Sequence, residues 1–273
     1  MTTPLSKMKA TLNSPIEYFL ETNEGGISIN EMLDKKVSIT FQHKIECIIC
    51  GKPTKKSFYQ GHCYPCFLKS PHTAECVIKP ELCKAHLGIG KDLEWEKEMH
   101  DTDHFVYLAL TSGIKVGVTR APQIPTRWID QGAVKAIRFA QTPNRYLAGL
   151  IEIDIAQYVT DKTAWQRMLK SEYPDLNLLK QKNKFVSLLN PDYKNYVSED
   201  NRIETLNFPQ RSIPSKVKSV NFDKTDTVEG ILTGIKGQYL FFDNELVLNI
   251  RRHGGYVVEL SCSDEIMPKD TLF

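Results

Sequence analysis

The chain has 273 residues, with 35 Lys plus Arg against 33 Asp plus Glu, and it is 41% hydrophobic and 25% charged. That balance is ordinary for a folded protein and excludes disordered, collagen-like and coiled-coil chains. No stretch of about 20 residues is free of charge, which excludes a membrane-spanning helix, and at ~150 residues per domain the length predicts one large or two to three small domains.

In chain order, Met1 to Thr11 carries lysines and no apolar run, unlike a secretory leader, so a cytoplasmic protein is expected. Ile16 to Leu20 and Val37 to Phe41 read as strands, the second with clean apolar–polar alternation. Between them Gly25-Gly26 predicts a turn and Asn30 to Leu33 a short helical piece.

Six of the seven cysteines then fall between Cys47 and Cys83. In a cytoplasmic chain such clustering points to metal rather than to disulfides. Cys47-Ile-Ile-Cys50 and Cys63-Tyr-Pro-Cys66 are two CxxC knuckles twelve residues apart, with Gly51 and Gly61 placed to make their turns. Two knuckles complete a closed four-thiolate shell, which suits structural rather than catalytic Zn²⁺. A second set, Cys76, Cys83, His86 and His100, has partial ligand spacing around Cys83-x-x-His86, with His72 and His104 as competing ligands. The same Cys76 and Cys83 also suit small buried apolar positions. Asp92 to Asp103 holds six acidic residues and reads as a solvated connector.

Phe105 to Leu110 and Ile114 to Thr119 form a predicted β-hairpin. A three-residue loop, Thr111-Ser112-Gly113, puts Val106, Leu108, Leu110, Ile114, Val116 and Val118 on one face. Tyr107, Ala109, Lys115, Gly117 and Thr119 then share the other, so Tyr107 and Lys115 project together. Pro125 to Gln131 is a short helix closed by Gly132, Val134 to Ala140 a third strand, and Thr142-Pro143 opens a helix running to about Val159. At 100° per residue, Arg145 and Glu152 lie ~20° apart on a face otherwise made of Ala148, Gly149, Ile155, Ala156 and Val159. A carboxylate there needs a cation or a metal, so an Arg145–Glu152 ion pair and a functional Glu152 stand side by side.

This block resembles the GIY-YIG nuclease domain. The first motif appears as Phe105-Val106-Tyr107 and the second as Lys115-Val116-Gly117 followed by Thr119. Phe105 replaces the first motif's glycine and Lys115 the second motif's tyrosine. The resemblance implies an α/β domain in which Tyr107, Lys115, Arg127 and Glu152 are catalytic residues, with Mg²⁺ or Mn²⁺ at Glu152. Asp161-Lys162-Thr163 lies where that family commonly has a further polar residue. Nearly the whole chain also resembles an uncharacterised prokaryotic family that joins such a domain to cysteine knuckles, through stretches including Gln123 to Gly132 and Gly234 to Tyr239.

Between Thr111 and Arg145 the basic residues Lys115, Arg120, Arg127, Lys135, Arg138 and Arg145 face Asp130 alone, a local charge suited to phosphate contacts. Lys115, Arg120, Arg127, Arg138 and Arg145 form the expected nucleic-acid surface, with Trp128 either a ring that stacks on a base or, as is commoner for an aromatic beside a helix core, a packing residue. Beyond the domain, Leu176 to Leu189 reads as a helix, and Val228 to Lys236, Gln238 to Phe242, Leu246 to Arg251 and Tyr256 to Cys262 as a β-meander.

The expected architecture is α+β: N-terminal strands (1–45), a zinc-knuckle segment (46–100), a GIY-YIG-like domain (101–190) and a C-terminal meander (215–273) that closes a small antiparallel β-barrel with the N-terminal strands. The expected function is that of a zinc-containing nucleic-acid-binding protein acting as a metal-dependent endonuclease on DNA or RNA. The alternative is an inactive nucleic-acid-binding adaptor in a nucleoprotein complex, with protein partners. No membrane is expected among its partners.

Overall fold

The computed structural model describes residues 1–159 and 163–266. The chain divides into two compact units, residues 68–206 and the flanking segments 1–67 and 207–273. Cys47 to Cys66 belong to the flanking unit and Cys76 and Cys83 to the central one.

The flanking unit opens with β1 (Thr2–Pro4), β2 (Lys9–Thr11), β3 (Glu17–Thr22), β4 (Gly25–Ser28), the long β5 (Lys35–Glu46) and β6 (Pro53–Thr54), followed by the short helix α1 (Tyr64–Lys69). Gly25 and Gly26 begin a strand rather than forming the turn, which falls at Asn23 and Glu24.

In the central unit α2 (Leu93–His100) leads into β7 (His104–Leu110) and β8 (Ile114–Arg120). Then come α3 (Thr126–Asp130), β9 (Lys135–Thr142), α4 (Arg145–Ala156), α5 (Trp165–Leu169), α6 (Leu178–Leu188) and β10 (Ile203–Thr205). The last described elements, back in the flanking unit, are β11 (Lys218–Val220), β12 (Thr227–Lys236), β13 (Tyr239–Phe242), β14 (Leu246–Asn249) and β15 (Tyr256–Ile266).

N- and C-terminal strands do share one sheet, in the order β1-β15-β5-β12-β13-β14-β11, with β6 added to β5. Strand β5 sits between β12 and β15, pairing Val37 with Gly230 and Ile39 with Leu260, and the alternating Val37 and Ile39 are buried as the sequence pattern demands. The sheet does not close. Its path ends on β1 and β11, strands of three residues each, so the expected barrel is replaced by an open sheet. Short edges limit edge-to-edge pairing without closure.

In the central unit the sheet order is β10-β9-β7-β8. The hairpin register pairs Tyr107 with Gly117, Ala109 with Lys115 and Leu110 with Ile114, which leaves Thr111-Ser112-Gly113 as the three-residue loop. The aliphatic face, from Val106 to Val118, packs with Ala148, Ile151 and Ile155 of α4 and Leu178 and Phe185 of α6. Each helix is stopped from fraying by its own asparagine: Asn144 accepts the N–H of Leu147 at 3.0 Å, and Asn177 that of Lys180 at 3.0 Å. Helix α4 therefore starts at Arg145, three residues after the expected threonine cap.

The acidic stretch read as a connector is helix α2. Asp92 caps it by accepting the N–H of Trp95 at 3.1 Å, and Glu96 and His100 point inward with 3% and 4% exposure. A cap plus two inward residues at i and i+4 are invisible to a charge count, because burial of a carboxylate depends on partners elsewhere in the chain.

His104, at the start of β7, is fully buried; its Nδ1 lies 2.7 Å from the Thr102 carbonyl, and its Nε2 has no partner among the described residues. Burial pushes its pKa down to about 3, opposed by the Thr102 carbonyl and reinforced by Arg145, His100 and Arg120. The unfolded chain takes up this proton near pH 6.5, so between those values it binds more protons than the folded chain. Stability from neutral His104 is complete above pH 6.5 and declines as the pH falls towards 3. Urea midpoints at pH 7.5 and 5 should show the wild type losing about 2 kcal/mol more than His104→Leu; equal losses would refute the assignment.

Candidate functional site

The two CxxC knuckles are shaped and joined by backbone hydrogen bonds. Gly51 takes φ 66° and donates its N–H to the Cys47 carbonyl at 2.8 Å, while Gly61 takes φ 128° and its carbonyl accepts the N–H of Ile48 at 2.9 Å. A side chain at Gly61 would strike Ile48 Cγ2 at 2.7 Å. The result brings one sulfur from each of Cys47, Cys50, Cys63 and Cys66 within 4.8 Å of the others. Cys50 Sγ and Cys63 Sγ are 3.8 Å apart. A tetrahedral shell with Zn–S of about 2.3 Å sets neighbouring sulfurs about 3.8 Å apart, so the donor set fits a zinc ion. Burial works against a thiolate at Cys47, but the backbone N–H groups of Cys63, Cys50 and Ile49 outweigh it and bring the pKa down to about 6. Seven cysteines are free thiols, with no disulfide among the described residues.

In the central unit Cys76, Cys83 and His100 form a second group, likewise within 4.8 Å of one another. His86 does not join them: its ring stacks on Tyr146 at 4.9 Å between centroids, 24° from parallel. Of the competing ligands, His72 packs edge-on against Trp95 and His104 serves β7 as described.

The other face of the hairpin holds the remaining candidates. Tyr107 is fully buried, and its hydroxyl donates to Gln131 Oε1 at 3.0 Å and also hydrogen-bonds Arg127. Its ring lies across Gly117, where a Cβ would come within 2.5 Å of the hydroxyl oxygen. Burial raises the Tyr107 pKa, and Glu152 adds to that against the pull of Arg127. Glu152, half-buried on α4, has its carboxyl pushed up to about 7 by burial, against the attraction of Arg145, Lys115 and Arg127 and with added repulsion from Glu81. Tyr107, Lys115, Arg127 and Glu152 thus converge within electrostatic reach of one another, from strands β7 and β8 and helices α3 and α4.

Gln131 and Glu81 are site residues the sequence reading missed. Gln131 stands four residues after Arg127, a helical spacing that would have placed it beside the arginine; Glu81 arrives only through tertiary packing.

Several members of the expected nucleic-acid surface are occupied within the protein. Arg145 donates from Nε to the Cys76 carbonyl and from Nη2 to the Val77 carbonyl, both at 2.9 Å, so its hydrogen bonds go to backbone. Arg138 pairs with Asp200 at 3.2 Å and lies 4.7 Å over the Phe105 ring; Arg120 reaches Met99 Sδ at 2.7 Å. Trp128 is 1% exposed and packs edge-on to Tyr107, so it is a core residue and no platform for a base. Asp161 and Lys162 lie outside the described residues, whereas Thr163 meets Thr111 across 3.2 Å between hydroxyls.

Helix α4 leans on the cysteine segment through Gly149. A Cβ there would come within 2.2 Å of the Glu81 nitrogen and 2.5 Å of the Pro80 carbonyl carbon, both backbone atoms. Alanine is the better helix former by about 1 kcal/mol, but overpacking against rigid backbone costs about 1–3 kcal/mol. Gly149→Ala should therefore lower the urea midpoint; a rise, the propensity effect alone, would show that the contact is absent.

The family model described as "Protein of unknown function (DUF2797)" matches residues 34–258. No curated protein and no solved structure matches the chain. Among the described residues no helix is long and apolar enough to cross a membrane.

Proposed function

We propose, from the premise that this chain belongs to DUF2797, a family of unknown function, that its central unit binds a nucleic-acid phosphate at Lys115, Arg127 and Glu152, with Tyr107 behind Arg127, and hydrolyses the phosphodiester with a divalent metal ion. The observation that carries this reading is the half-buried Glu152 carboxyl, pushed up to about 7 and ringed by Arg127, Lys115 and Arg145. A carboxylate held in such a place is costly, and perturbed groups of this kind mark functional sites. The resemblance of the surrounding motifs to the GIY-YIG nuclease domain supplies the reaction class.

Glu152 is the residue to hold Mg²⁺ or Mn²⁺, which when bound neutralises phosphate charge and acidifies water. Arg127 stabilises the charge that develops on the phosphorane, its guanidinium steered by the Tyr107 hydroxyl. The Tyr107 hydroxyl is itself committed to Gln131, which makes Tyr107 a positioning residue. Lys115 supplies a second cation to the phosphate. The four-cysteine cluster holds structural zinc in the flanking unit.

The test is cleavage of labelled single-stranded, duplex and branched DNA and of RNA, with Mg²⁺ or Mn²⁺ and with a chelator. Metal-dependent products are expected, with binding that weakens steeply as salt rises. Salt-sensitive binding without cutting would instead establish the adaptor, as Lys115 at the tyrosine position of the second motif favours. Absence of binding to every substrate would overturn both.

A further inference from the structure

We propose that Cys76, Cys83 and His100 hold a second zinc ion, which fastens the segment on which α4 rests. All three side chains are buried, at 6%, 2% and 4% exposure. Cys76 Sγ lies 3.8 Å from His100 Nδ1. With Zn–S of about 2.3 Å and Zn–N of about 2.0 Å, a tetrahedral shell places sulfur and nitrogen about 3.5 Å apart, close to what this pair already has. The backbone N–H of Ala85 hydrogen-bonds the Cys83 sulfur, as in a metal knuckle. Glu96 Oε2 stands 3.9 Å from His100 Nδ1 while its Oε1 accepts the Lys91 N–H at 2.7 Å. Glu96 is therefore a buried carboxylate beside the group and not one of the three convergent ligand residues.

The surrounding chain argues for the same ion. Between Ala74 and Gly88 it forms only short 3₁₀ turns, and its buried cluster consists of Ala74, Cys76, Cys83 and Ala85. Ile78, Leu82, Leu87 and Ile89 point outward, at 70%, 44%, 63% and 56% exposure. Without a core of its own, such a segment needs a staple, and here the ligands are the core. That segment nevertheless bears α4: Arg145 grips the Cys76 and Val77 carbonyls, and Gly149 sits on Pro80 and Glu81. Arg145, Gly149 and Glu152 are spaced four and three residues apart, one stripe of the helix, so the ion also fixes the height at which Glu152 is presented. This last consequence rests on the proposed function; the ion itself does not.

Metal analysis of the zinc-replete full chain reads the proposal without any activity. Two zinc ions per chain are expected for the wild type, and one each for Cys76→Ser, Cys83→Ser and Cys50→Ser. In the cobalt-substituted protein, the ion retained by Cys50→Ser should show roughly half the thiolate charge-transfer intensity of the ion retained by Cys76→Ser, two thiolates against four. One zinc in the wild type, lost in Cys50→Ser and kept in Cys76→Ser, would overturn the proposal. Should Cys76→Ser fail to fold, alkylation of the wild type decides: Cys76 and Cys83 should label only after a chelator is added, and labelling unaffected by chelator would refute the site.

Discussion

Glu152→Ala should cut no substrate that the wild type cuts, with rates down by on the order of 10³-fold or more, equivalent to about 4 kcal/mol of transition-state stabilisation. The loss should come without loss of stability. Burial pushes the Glu152 carboxyl up to about 7, so its ionised form is held in place at a cost that alanine removes. The urea midpoint of the variant at neutral pH is therefore expected to equal or exceed that of the wild type. Nucleic-acid binding measured on the same samples should persist, because Arg127 and Lys115 are still present. A variant that cuts at the wild-type rate would remove Glu152 from the reaction. One that loses both cutting and stability would make it a structural residue. Arg127→Ala should also lose cutting, with Tyr107 stripped of one hydrogen-bond partner but still donating to Gln131.

The largest stability effect should come from the four-cysteine centre. Around it residues 47–66 have few apolar contacts: β6 pairs with β5 through Thr54 and Pro53 only, Phe58 gathers Tyr64 and Phe67, Ser57 and Gln60 hydrogen-bond Gly254 and Arg251, and Ile48, Ile49 and Tyr64 remain exposed. Structural zinc contributes on the order of 10 kcal/mol to the folding of such segments. Cys63→Ser, at a buried ligand, is expected to lower zinc content by one ion per chain and to abolish the cooperative thermal transition of the flanking unit. A chelator should reproduce the effect in the wild type and added zinc should reverse it. Unchanged zinc content and an unchanged transition in Cys63→Ser would refute a structural metal there.

What the amino-acid sequence by itself determined is local. The knuckles were legible because CxxC spacing and the adjoining glycines define a turn within four or five residues, as the positive φ of Gly51 and Gly61 shows. The β7–β8 register was legible for a similar reason, since only a three-residue loop keeps six aliphatic side chains on one face, and that face is the core against α4. Helical periodicity likewise put Arg145, Gly149 and Glu152 on one side of α4.

Tertiary structure decided what those surfaces meet. The sequence offers Arg145 as a phosphate ligand or a partner for Glu152, yet its hydrogen bonds go to the Cys76 and Val77 carbonyls nearly seventy residues away in sequence. Trp128, for which the sequence allows base stacking or core packing, closes the core beside Tyr107. Glu96 and His100, hidden in a stretch whose charge suggested solvent, turn inward to a pair of thiols. The meander shares a sheet with the N-terminal strands yet stays open, because closure depends on how β1 and β11 lie and not on any alternation within them. Periodicity reports which side of an element is apolar; the identity of the partner is a long-range contact, which no local pattern encodes.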